Sequence, residues 1–203
     1  MYYWRKDYFE TLNHAASSAN SIASWPEYAR FCLEYERGLR RQAFAILQGF
    51  ISNMEREPFA ERRRFISWLL MMAEGREGQH LLIPNPLQIK VVEPTLLEWT
   101  QVEPLCAEPH RWLGDREHLE HALELDPNDQ IARRRLIIKI MSCIDYATHE
   151  LPLGYLGSAV EDLAIIERVE GLLIDLTNDR DRTSLAAFIA EEKTAIQEYL
   201  RRK

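Results

Sequence analysis

The sequence predicts an all-α protein of seven or eight helices, and three observations carry that prediction. Apolar side chains recur three and four residues apart through most of the 203 positions, the spacing of one helix face. Helix-opening groups stand in front of these runs. Sustained two-residue alternation is missing: only Leu87-Gln88-Ile89-Lys90-Val91 reads as a short strand or extended loop. The composition is that of a globular chain, with 46% apolar and 28% charged residues.

The first strong helical signal runs over 24–54. Ser24 is placed to cap it and Glu27 to reach back to Ser24, with Pro26 in the first turn. Tyr28, Phe31, Cys32 and Tyr35 repeat at helical spacing, continued by Leu39, Phe44, Ile46 and Leu47. Gly38 and Gly49 predict a kink or a break. A second helix is expected from Pro58 to about Ala73, with Phe65, Trp68, Leu69 and Met72 on one face and Gly75 and Gly78 after its end. Residues 79–93, with Pro84-Asn85-Pro86, read as the least helical stretch. They divide the chain into an N-terminal helical part (1–78), an irregular connector (79–93) and a C-terminal helical part (94–203), which share one core or hold two.

In the last part, Pro94–Val102 and Pro109–Leu125 each predict one helix. Asp129–Glu150 is apolar over a wide arc: Leu136, Ile137, Ile140, Cys143, Ile144 and Ala147 share a face, and Ile131, Ile138 and Met141 widen it. Such a helix belongs in the middle of its domain. Leu151-Pro152-Leu153-Gly154-Tyr155-Leu156-Gly157 is a sharp break. Ser158 to Glu161 forms a capping box for a helix reaching about Leu176. After a polar turn, the last helix runs from about Thr183 to Leu200, and Arg201-Arg202-Lys203 suits the negative end of its dipole.

One stretch resembles a known family. His118-Leu119-Glu120-His121-Ala122-Leu123-Glu124-Leu125-Asp126-Pro127 is similar to the second helix and closing turn of a tetratricopeptide repeat, whose 34-residue unit sets a large apolar residue, an alanine and a proline at fixed offsets. Leu119, Ala122 and Pro127 stand at those offsets, and Trp99 stands where the repeat has its tryptophan. The matching unit is residues 96–129. Its first helix departs from the pattern: Glu103 replaces the packing glycine, Pro104 follows, and Asp115 replaces a small residue. The resemblance implies antiparallel helix stacking in the C-terminal half and a surface that binds other proteins.

Several function classes are excluded or disfavoured. The net charge of −7, with nine acidic and three basic side chains in 81–127, opposes nucleic-acid binding. No apolar run approaches the length of a membrane span, and the first residues do not read as a secretory signal. Cys32, Cys106 and Cys143 are odd in number and far apart, which suits a reducing cytoplasm. There is no phosphate loop, dinucleotide fingerprint, GxSxG or HExxH, so no cofactor or metal is expected.

The chemistry-bearing candidates are few. Asp145 and His149 lie one turn apart, with Glu150 beside them, a pattern that serves a hydrolase, metal-assisted or not, or a plain ion pair at a helix end. Glu117, Arg134 and Met141 are candidates for contacting a partner on a concave face formed by 109–125 and 129–150. His118 and His121, with Glu117 and Glu120, read as a solvated face. Arg62-Arg63-Arg64 and Arg133-Arg134-Arg135 lie near helix starts, where the dipole disfavours cations. They point either to an acidic partner, the acidic 93–126 segment included, or to residues split between faces. Tyr2, Tyr3 and Trp4 could dock on another helix or on a second copy of the chain, so a homodimer is one expectation. The leading expectation is a non-enzymatic interaction or adaptor protein with a protein partner; the alternative is the hydrolase with Asp145, His149 and Glu150.

Overall fold

The computed structural model describes residues 6–21, 25–76 and 78–202. Ser24, Tyr2, Tyr3 and Trp4, to which the sequence assigns a cap and docking contacts, lie outside them. Among the described residues the chain is helical without a strand, as expected, but eleven helices reach four residues or more instead of seven or eight. No helix there is long and apolar enough to cross a membrane. The chain forms two compact units, Met1–Pro104 and Leu105–Lys203.

In the first unit, α1 (Lys6–Asn20) packs on α2 (Pro26–Glu36), and α2 packs on α3 (Arg40–Met54). The break predicted between 24 and 54 falls at Gly38, whose φ of +79° is a left-handed turn costly for other residues. Gly49 stays inside α3. Pro26 opens α2, and the described cap residue is Trp25, whose side chain makes no cap bond and reaches Glu61 instead.

α4 (Phe59–Ala73) brings Phe65 against Trp25, Tyr28 and Phe50, with ring centroids 4.9–5.3 Å apart. Burying each such ring contributes about 1.5–3 kcal/mol. Tyr28 and the neighbouring Trp68 each find an acceptor for their polar end. Tyr28 donates to the Leu82 carbonyl at 2.8 Å, and Trp68 donates to Ser18 Oγ at 3.0 Å.

The connector expected at 79–93 is corrected, because it is helical and belongs to the first unit. It comprises α5 (Gln79–Leu82), α6 (Asn85–Leu87), a π turn (Gln88–Val92) and then α7 (Glu93–Val102). The prolines do not block it because each falls near the start of a helical segment: Pro84 precedes α6 and Pro94 is in the first turn of α7. The π turn lies just before Pro94, with the Glu93 N–H bonding the Gln88 carbonyl. That wider turn accommodates a ring that would clash inside a regular helix. The short strand considered at 87–91 is this π turn.

The second unit holds α8 (Ala107–Leu113), α9 (Arg116–Leu125), α10 (Gln130–Thr148), α11 (Ala159–Ile174) and α12 (Asp179–Arg202). The single helix expected over Pro109–Leu125 is two. Gly114 turns left-handed at φ +74°, and Asp115 restarts the chain by accepting the His118 N–H at 2.8 Å. Asp129 caps α10 in the same way, and Ser158 caps α11 as the sequence predicts. The last helix starts earlier than expected because Asn178 Oδ1 accepts the N–H groups of Arg180 and Asp181.

α10 is central, packing on α9, α11 and α12. Leu136, Ile137, Ile140, Ile144 and Ala147 are buried as predicted, whereas Cys143 is exposed. The buried arc is rotated toward Arg133 and Met141, so Cys143 falls at its margin.

Candidate functional site

The end of α10 and the loop after it make the most distinctive surface of the second unit. The loop winds back on the helix that precedes it. Leu151 N–H bonds the Thr148 carbonyl, the N–H groups of Leu153 and Gly154 both reach the Glu150 carbonyl, and Leu156 N–H returns to the Ala147 carbonyl at 3.1 Å. Tyr155 is anchored inward. Its hydroxyl donates to Asp162 and its ring stacks on Tyr199 at 5.6 Å. Burial, then the Asp162 carboxylate, push the Tyr155 phenol pKa up. Thr148 Oγ1 donates to the buried Glu192 carboxylate at 2.7 Å.

With the backbone held this way, four large apolar side chains stay in solvent: Leu153 (92% exposed), Tyr146 (68%), Val160 (66%) and Leu156 (45%). Scattered single apolar residues at a surface are ordinary, but four within fifteen positions, two on the loop and one on each helix that flanks it, are the composition of a contact surface.

The predicted catalytic group lies at the same helix end. Asp145, His149 and Glu150 are all exposed. His149 Nδ1 lies 2.7 Å from the Tyr146 carbonyl and Nε2 lies 3.0 Å from Glu150, while its ring stacks on Tyr146 at 5.2 Å. Both nitrogens thus face acceptors on their own chain segment, an arrangement that matches the ion pair at a helix end rather than a base held against a substrate.

The predicted partner contacts do not gather on one face. Glu117 is exposed on α9, and Arg134 is half-buried with its guanidinium 3.8 Å from Asp181. Met141 is fully buried in the core, so its assignment to a partner surface is corrected: it packs with Ile137 and Ile144 on the inner arc of α10.

Both arginine triplets are used within the chain. Arg62 binds Glu98 at 2.7 Å, Arg63 binds Glu103 and lies over Trp99, and Arg64 binds Glu61 and lies over Trp25. Two of these acceptors belong to the acidic 93–126 segment. Arg133 is buried, bonded to the Pro127 carbonyl and to Asp175, and Arg135 donates to the Arg111 carbonyl and lies over Trp112. Consecutive arginines point to different neighbours, as the helical rotation requires.

His118 and His121 are half-buried rather than solvated, because His110 on α8 packs against both. The sequence reading passed over His110; its approach depends on the turn at Gly114. Among the described residues no group of three or more His, Cys, Asp or Glu side chains is arranged to hold a metal ion. The loop surface was also missed, although its signal was present: bulky apolar residues interleaved with Pro152, Gly154 and Gly157, in a segment too short to bury them itself.

No protein-family model, no curated protein and no solved structure matches the chain. The fold and the site therefore define it as an all-helical protein of two compact units that carries an ordered, apolar surface loop.

Proposed function

We propose that the chain is a non-enzymatic protein-interaction module whose partner docks on the 146–160 surface. The observation that carries this reading is the loop itself: its backbone is fixed by hydrogen bonds while Leu153 is 92% exposed. Ordering is already complete before binding, so covering Leu153 or Val160 returns about 1.5–3 kcal/mol each with little entropic loss. Repeat-like stacking is the architecture we infer behind it. Its support is that Leu119 and Ala122, the residues matching the tetratricopeptide pattern, are fully buried, and that α9 packs between α8 and α10. The free cysteines suit a reducing cytoplasm.

The test is affinity capture of the tagged full chain from its source-cell lysate, beside a Leu153→Glu/Val160→Glu variant. Both positions are exposed, so the variant keeps its fold. A stoichiometric protein retained by the parent and lost by the variant is the expected result. Equal capture by both would overturn the placement of the surface. Sedimentation of the two proteins alone decides whether the partner is a second copy.

A further inference from the structure

His110 and His118 face each other across the α8–α9 turn with their Nδ1 atoms 2.8 Å apart. The His121 ring stands edge-on to His110, with 4.6 Å between centroids. At 2.8 Å one nitrogen donates its N–H and the other accepts with its lone pair. Two Nδ1–H groups cannot share that space. The contact therefore requires one of the two rings to keep Nδ1 unprotonated.

The surroundings oppose a further cation. His110 is 7% exposed. Burial first, then the fields of His121 and His118, hold its pKa below the ordinary imidazole value, with Asp115 acting in the opposite direction. From its own helix the charged groups are Glu108 and Arg111, 3.8 Å from each other. From α9 they are Asp115, 3.8 Å from His118 Nε2, and Glu124, which takes up His121 Nδ1 at 2.9 Å. From α10 they are Asp129, already engaged by Arg111 at 3.1 Å, and Arg135, which donates to the Arg111 carbonyl.

We propose that His110, His118 and His121 form a proton-operated latch that releases α8 from α9 on mild acidification. Below the ordinary imidazole value of about 6.5, His110 takes a proton more readily in the open form than in the latched one. Once both facing Nδ1 atoms are protonated, the hydrogen bond becomes a repulsion between cations. α8 has only seven residues and little else of its own to hold it folded. Its departure carries Trp112 away from the Arg135 guanidinium that lies over its ring. The sign follows from linkage: His110 has the lower pKa when latched, so the open form binds more protons. The latch is fully closed above the ordinary value and weakens as pH falls below it.

The test is amide hydrogen exchange of the full chain at about pH 7.5 and about pH 5.5, corrected for intrinsic rates. Protection over Ala107–Leu113 is expected to fall at the lower pH, by up to about tenfold per pH unit for one coupled proton, while α2 and α3 keep theirs. In His110→Asn the amide nitrogen replaces Nδ1 and does not titrate, so the pH dependence is expected to vanish. His118→Asn reads the same contact from the other side if the first variant fails to fold. Unchanged α8 protection in the parent, or an equal fall in both variants, would overturn the latch.

Discussion

In Met1–Pro104 the core holds a cluster of touching rings among its aliphatic side chains, whereas the main buried cluster of Leu105–Lys203 is aliphatic throughout. Trp25, Tyr28, Phe31, Phe50 and Phe65 are each 2% exposed or less, whereas the buried cluster of the second unit is Leu, Ile, Val, Met and Ala, with Phe188, Tyr155 and Tyr199 only at its edge. The buried polar side chains follow the same division. Among the described residues they are Thr11 and Thr95 in the first unit, and His110, Asp129, Arg133, Thr148 and Glu192 in the second. Tyr and Trp rings carry their polar atom at one end, where a backbone carbonyl or a side chain can take it up. Aliphatic chains offer no such handle, so helices that need one bring a charged group inside and pair it there. The first unit thus rests on packing, and the second partly on ionisation.

The strongest test of this contrast is Phe65→Ala. It removes a ring that touches Trp25, Tyr28 and Phe50. A loss of about 3–5 kcal/mol is expected from chemical denaturation, with exchange protection falling in α2 to α4. A loss below about 2 kcal/mol would mean that the rings repack and that the core is not specific.

Asp129→Ala should come next, at about 2–3 kcal/mol. It deletes the cap on the Ala132 N–H and leaves the Arg111 guanidinium, 3.1 Å away, without that carboxylate. Ser158→Ala removes a cap of the same kind with no buried ion partner, and about 0.5–1 kcal/mol is expected. The gap between these two denaturation midpoints isolates what the buried charge adds. If the gap closes, ionisation is not what distinguishes the second unit.

Thiol labelling gives the gentlest probe, with no change in stability. Burial pushes the Cys32 thiol up to about 12, against a smaller lowering by its hydrogen bond with Tyr28. Cys143 is exposed. Mass analysis after brief alkylation at neutral pH should find Cys143 modified and Cys32 intact. Equal labelling would show that the aromatic core opens as readily as the surface of α10.

The helices were legible where one face is apolar and a cap is local. α4 and α10 begin within a residue of their expected starts, and the Ser158 cap stands as predicted. Arg133 shows what was not legible. It lies within the inner arc of α10 but reads as a surface residue, because its acceptor Asp175 is 42 positions away. Glu192 is buried for a similar reason, through Thr148. His110 needed the turn at Gly114 to meet its partners. At the candidate site, Asp145, His149 and Glu150 were read from spacing alone. Spacing fixes which residues share a stripe, not whether that stripe is covered.

The π turn at Gln88–Val92 has a consequence for sequence length. Leu87 and Trp99 are both buried, yet in an uninterrupted α-helix residues twelve apart point about 120° from one another. The wider turn absorbs that rotation, as a residue inserted into a regular helix does. Removing one residue from the turn would leave a regular helix in which the two lie eleven apart, about 20° from one another, so both would still face the core. The spacing between Leu87 and Trp99 and the width of the turn are therefore tied to one another: twelve positions bury both side chains because the turn is wide.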